Sequence, residues 1–364
     1  MATIASLREW LSLPPLTPAE DYGFFGPESV TWRVWSYPTS LTVGFQRAVV
    51  IEELDPALVA AVDATHAIYD RPRTRYDRTL RYFAMVMFGD SRSTAHAADI
   101  LVKVHSKGIG IDPVTHRSYD ANDPASQLWI HLTAWHSILV AYEKYGPGRL
   151  SEADELQYWA ECARAAELQT CDPADVPRTR AGITEYFEQM RPQLIGSEIA
   201  RKAMRHLLRA EVMMPEIPRV LRPMFTLVYA FLRRGTLATM PRWMREMAGL
   251  PTGRVLDVLV TAPMSAAFTL VSLNARLQIQ LLRLISPMTV PVAGPVLLKM
   301  PPAEAVTLTP REAQERYGYD IPAQAHQALR DKQRARVFGR GEAPDEQGLR
   351  ESEAVLGEIS RKAM

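Results

Sequence analysis

Apolar residues recur at helical spacing through Asp55–Ala67, Thr79–Gly89, Thr94–Ser106, Pro124–Tyr145 and Glu152–Leu168. Such spacing lays one apolar stripe along a helix, and a chain dominated by it has to build its core from helices. The starts are written into the sequence. Asp55-Pro56 and Asp123-Pro124 each place a capping side chain before a proline at the first helical position. Ser151-Glu152-Ala153-Asp154 adds a cap followed by acids that favour the helix dipole. Gly89, Gly108 and Gly146 sit where helices are expected to stop. Strand signals at Val30–Val34 and Leu41–Val50 are weak, because Thr42, Phe45, Val49 and Glu52 also fit a helix running into Asp55. No strand leads into a glycine-rich loop, and Gly108-Ile109-Gly110 lacks the third glycine of a dinucleotide fingerprint. The expectation is an all-α fold in a single large helical domain.

Charge and composition narrow the function classes. The 364 residues carry 42 basic and 41 acidic side chains, so the basic footprint of a nucleic-acid protein is missing from the totals. With 47% hydrophobic residues the chain can bury a core, which excludes global disorder. Cys162 and Cys171 are the only cysteines, too few for a disulfide scaffold, an iron–sulfur cluster or a thiolate zinc site. Met1–Leu13 shows no apolar signal-peptide region, so a cytoplasmic location is expected. Prolines interrupt the helices near Thr170–Arg178, Met213–Pro223 and Pro287–Pro302. A helical domain over residues 1–308 and a polar, charge-mixed extension over 309–364 follow from the composition. Val255–Ile285 is the most apolar stretch, but Asp257, Pro263, Asn274 and Arg276 interrupt it. It reads as a buried helix pair, with an amphipathic membrane-surface element as the alternative, giving peripheral membrane contact through 255–285.

Two features bear on chemistry. Arg71, Arg73, Arg75, Arg78 and Arg81 fall within eleven residues and open a strongly apolar helix, Tyr82–Phe88. On a helix Arg71, Arg75, Arg78 and Thr79 share one side. They either pair with acids such as Asp70 and Asp77 or form an anion site, since guanidinium grips carboxylate or phosphate bidentately. The second feature is a set of histidines on apolar helices. His66 belongs to the helix before the arginines, His105 ends another helix, and His131 and His136 share a third. No pair has zinc-protease spacing, and no repeated Glu-x-x-His supports a di-iron bundle. A b-type haem asks for less: one neutral imidazole on iron, apolar helices around the porphyrin and arginines at the propionates.

The region from Tyr69 to about Leu168 resembles the bacterial and fungal haem-oxygenase family that includes latex clearing protein, the rubber oxygenase, and MpaB. The resemblance rests on Arg-x-x-Arg-Thr at Arg75, Arg78 and Thr79, on Val104-His105, and on Tyr119-Asp120-Ala121-Asn122-Asp123-Pro124. Trp129-Ile130-His131 and Ala141-Tyr142-Glu143-Lys144-Tyr145-Gly146 complete it. It implies a globin-like haem b core, a family core over about 55–250, and His105 as the proximal iron ligand. Latex clearing protein carries a lysine where this chain has Arg78, and arginine has no lone pair to offer iron. Its sixth iron position is then open, or filled by water, substrate or another histidine, for which His131 is the best placed.

From this follows an expected activity. His105 holds the iron; Arg71, Arg75, Arg78 and His131 contact the cofactor; Arg75, Arg78 and Thr79 hydrogen-bond or polarise O₂ while an apolar, isoprenoid or lipid-like substrate is oxidised. Two other readings stay open at the level of sequence. One is a non-catalytic haem carrier or sensor. The other is a haem-free helical protein whose arginines bind a small anion.

Overall fold

The computed structural model describes residues 13–215 and 219–359. Most of the segment read for a signal peptide, part of the 213–223 break and the last residues of the extension lie outside them. The chain is all-α: its strands, among the described residues, are the three-residue β1 (Ile109–Ile111) and β2 (Ser118–Asp120), paired antiparallel with Gly110 opposite Tyr119. Strands this short carry no readable alternation, which is why the sequence showed none. Asp112 closes their turn by accepting from the Val114 and Thr115 amides at 2.9 Å.

The first helices are α1 (Val30–Trp35), α2 (Phe45–Ile51), α3 (Pro56–Thr65) and the short α4 (Ala67–Asp70). Then come α5 (Pro72–Phe88), α6 (Ser91–His105), α7 (Pro124–Tyr145) and α8 (Glu152–Ala166). Their caps are the expected ones. Asp55 accepts from the Leu58 amide at 2.8 Å, Asp123 from Ala125 and Ser126 at 3.0 Å, and Ser151 from Asp154 at 3.2 Å. Gly89 and Gly146 cap α5 and α7. His66 departs from its expected place inside a helix. It takes φ 49° and forms the left-handed joint between α3 and α4.

Helix α7 is the hub. Its 22 residues bury Trp129, Leu132, Trp135, Ile138, Leu139 and Tyr142, so apolar groups cover most of its circumference. α1, α2 and α8 pack around it. Trp135 meets Trp35 and Tyr158 at ring separations of 5.6 and 5.0 Å, which locks α1, α7 and α8 together.

The second half adds α9 (Arg180–Met190), α10 (Glu198–Leu207), α11 (Arg222–Thr239) and α12 (Arg242–Met247), then α13 (Arg254–Ser272), α14 (Ala275–Ile285) and α15 (Val290–Leu297). α10 closes over α2 and α3, and α15 over α5. The 255–285 stretch is a helix pair, α13 and α14, but the expectation that it is buried fails. Only 17% of α13's apolar window is buried. Val260, Met264 and Phe268 are seated against Val43, Ala141 and Tyr145, and the rest of α13 faces outward. The 309–359 region lies along the body. α16 (Pro310–Tyr317) packs on α6, α17 (Gln327–Arg334) ties to the hairpin through Arg334–Asp120 at 2.7 Å, and α18 (Glu353–Leu356) meets α5 and α6.

Candidate active site

The arginine run divides by task. Arg71 precedes Pro72 at the start of α5, and Arg71, Arg75 and Arg78 lie close enough to repel one another. Arg78 turns to the C-terminal segment. It donates to the Gly357 carbonyl and, at 2.6 Å, to Ser352 Oγ, with Glu353 nearby. Arg81 donates to the Met288 carbonyl at 3.0 Å. Thr79 gives its hydroxyl proton to the Arg75 carbonyl one turn back, at 2.9 Å. Like Arg78 and Arg81, Arg75 has no carboxylate within ion-pair distance among the described residues.

What faces Arg75 comes from distant parts of the chain. Glu52 and Glu53 stand on the 3₁₀ turn Glu52–Leu54 that links α2 to α3, and both feel the Arg75 charge. Tyr69 of α4 feels Glu53, and His105 at the end of α6 feels Arg75. Glu52, Arg75 and His105 are deep within protein yet keep accessible surface, more than a third in the case of Arg75. The three side chains form a cluster, the Arg75 recess, that is surrounded by protein atoms and open to solvent on the side of Arg75. Two polar atoms at its edge are buried with no protein partner, Glu53 Oε2 and the Tyr69 hydroxyl.

Burial sets the protonation states. The Glu52 carboxyl is pushed up to about 8 by desolvation, against the opposing pull of Arg75. Glu53 is raised well above the usual carboxylate range, by burial first and the neighbouring Glu52 second. His105 is held down at about 4 by burial and then by the Arg75 charge. At neutral pH the recess therefore combines a neutral imidazole, carboxyl groups that retain protons and a cationic guanidinium.

The two predicted histidines have different surroundings. His105 Nδ1 lies 3.3 Å from Gln127 Nε2, which also donates to the Ala121 carbonyl at 2.6 Å. Its Nε2 has no partner among the described residues. His131, by contrast, is fully engaged. Its Nε2 meets the Cys162 carbonyl at 2.8 Å and its Nδ1 the Gln169 amide at 2.9 Å. Both nitrogens serve the α7–α8 core, and the structure does not join His131 to the Arg75 recess.

Reasoning from sequence missed Glu52, Glu53, Tyr69 and Gln127. The one available signal was the pair of adjacent acids directly after the apolar run Ala48–Ile51, where a solvated pair would be out of place.

Residues 32–270 match the family model for the catalytic domain of ER-bound oxygenase mpaB/B' and rubber oxygenase, and the chain belongs to that family. The match runs from α1 to α13 and contains every residue of the recess. This is an oxygenase-type catalytic domain, for which a substrate and O₂ are the expected partners. Neither a curated protein nor a solved structure matches the chain.

Proposed function

We propose that the protein is a haem b-dependent oxygenase acting with O₂ on a small apolar substrate, isoprenoid or lipid-like. The observation that carries the reading is His105: an imidazole held neutral at physiological pH, with no partner for Nε2 among the described residues, beside the Arg75 guanidinium. No group of three His, Cys, Asp or Glu side chains suited to a bare metal ion occurs among the described residues, whereas a porphyrin iron needs only one such imidazole. His105 would hold the iron, and Arg71 and Arg75 are the arginines placed to meet the cofactor's carboxylates or the reacting oxygen. Bound haem supplies the one-electron iron chemistry that O₂ activation requires.

The chain's own groups divide the remaining work. Gln127 Nε2 donates to Nδ1, an arrangement that leaves the ring proton on Nε2, so ligation through Nε2 would require that proton to move to Nδ1 and the Gln127 amide to turn its oxygen toward it. Arg75 brings a full positive charge toward the side of His105 where negative charge would grow on oxygen. Glu53 keeps a proton on a buried carboxyl and can give it up at Oε2, the atom without a partner. Arg78 and Thr79 act on the position of Arg75, Thr79 through its carbonyl and Arg78 through its charge.

The test is His105→Ala. The variant should be purified without a Soret band while keeping its helical circular dichroism. A variant that retains full haem with an unchanged spectrum, before and after dithionite and carbon monoxide, refutes the ligand assignment.

A further inference from the structure

We infer that the outer face of α11, α13 and α14 is a docking surface for an anionic membrane, on which the protein lies without crossing. The first observation is an unbroken apolar stripe. Val255, Leu259, Ala262, Ala266, Leu270 and Leu273 follow at steps of three and four along α13, all facing outward. Val255, Leu259, Leu270 and Leu273 are 64–77% exposed. Beside them stand Val220 at 84%, Met224 at 53% and Leu227 at 74%, on α11 and its lead-in turn, and Leu277 at 42% on α14. Scattered exposed leucines are ordinary, but a contiguous face of them marks an interaction site.

The face is held rigidly. Gly235 of α11 faces Met264 of α13, whose Cε lies 2.3 Å from where a Cβ would stand. The Tyr145 hydroxyl then donates to the Gly235 carbonyl at 2.7 Å and ties the pair to α7.

Charge selects the occupant. Residues 219–285 contain nine arginines, no lysine, and two acids, Glu246 and Asp257. In a chain of net charge +1 this is a strong local excess. Asp257 is neutralised by Arg234 and, at 2.9 Å, by Arg245, and Glu246 pairs with Arg242 at 2.7 Å. Arg254 and Arg276 stand exposed at the ends of the stripe. Apolar residues flanked by arginines suit acyl chains beneath anionic headgroups. A second copy docking about a two-fold axis would bring the same positive rim against itself.

Helix α13, 19 residues long, is long and apolar enough to span a bilayer by length and composition, but its packing argues for lying on the surface. The uncharged part of α13, Val258–Ser272, is roughly 22 Å long against a hydrocarbon thickness of about 30 Å. Its inner side, Val260, Met264 and Phe268, is committed to protein. An apolar groove at the foot of the face is lined by Phe268, Val271, Leu281, Ile285, Trp35 and Leu41. Leu281 belongs to both groove and face, so a hydrocarbon chain leaving a bilayer meets the groove first.

The test is flotation of the full chain with vesicles of phosphatidylcholine alone and of phosphatidylcholine mixed with phosphatidylserine. Partitioning should favour the mixed vesicles and weaken with salt. Arg254→Gln with Arg276→Gln should lower it roughly twenty-five-fold, at about fivefold per arginine. Leu259→Glu with Leu270→Glu should lower it at least about a hundredfold, while melting temperature and Soret band stay unchanged. Absence of binding to either vesicle overturns the inference, as does binding that survives the leucine pair. A dimer in solution that the leucine pair dissolves, without vesicle binding by the parent, assigns the face to a second copy instead.

Discussion

Replacing Glu52 by glutamine probes the recess through stability. The Glu52 carboxyl titrates at about 8 in the folded chain, and an unfolded glutamate near its ordinary value of 4.5. Between these limits the folded state holds a proton that the unfolded state has released. Stability is therefore fully present below the lower value and is lost as pH rises through the upper one. At about 1.4 kcal/mol per pH unit the loss approaches about 5 kcal/mol, and the remaining water access to Glu52 brings it to about 3 kcal/mol. Glutamine keeps the shape and does not titrate. The two proteins should match near pH 4, where the carboxyl is neutral in both the folded and most of the unfolded chain, and diverge by about 3 to 5 kcal/mol near pH 8.5, with Glu52→Gln the more stable. His105 contributes with the opposite sign, since a value near 4 makes stability fall as pH drops from about 6.5. Both proteins share that limb, so it cancels in the difference. The assay is urea unfolding of haem-free protein by circular dichroism at the two pH values and one ionic strength. Parallel profiles would mean that Glu52 ionises in the ordinary carboxylate range, and the buried recess would lose its electrostatic basis.

His131→Gln should lower stability by about 1 to 3 kcal/mol through two disturbed buried hydrogen bonds, yet leave the proposed haem binding intact. Loss of the Soret band in this variant would instead make His131 part of the cofactor site. Arg78→Ala removes the bonds to Gly357 and Ser352 and should release the C-terminal segment. Limited trypsin digestion would then cut at Arg350 sooner than in the parent, and an unchanged digestion course would show that Arg78 does not hold the segment.

Local chemistry was readable along the chain. Asp55, Asp123 and Ser151 start helices because a cap and its amide lie within three residues of each other. The arginine run, His105 and the Tyr119–Pro124 segment carried the family resemblance because its motifs are contiguous or closely spaced.

Periodicity states which residues share a helix face and leaves open what covers it. The 255–285 stretch reads as core, yet the fold sets one stripe of α13 on α7 and leaves the other bare. Arg78 and Arg75 look alike in one motif, but Arg78 meets a segment some 280 positions away while Arg75 faces the recess. Glu52, Glu53 and His105 owe their protonation to desolvation, which depends on how many atoms from the whole chain surround a group. The sequence by itself determined the helices and the set of reactive side chains. Only the tertiary structure decided which of them would lose their water together, because burial is a property of the assembled fold and of no single segment.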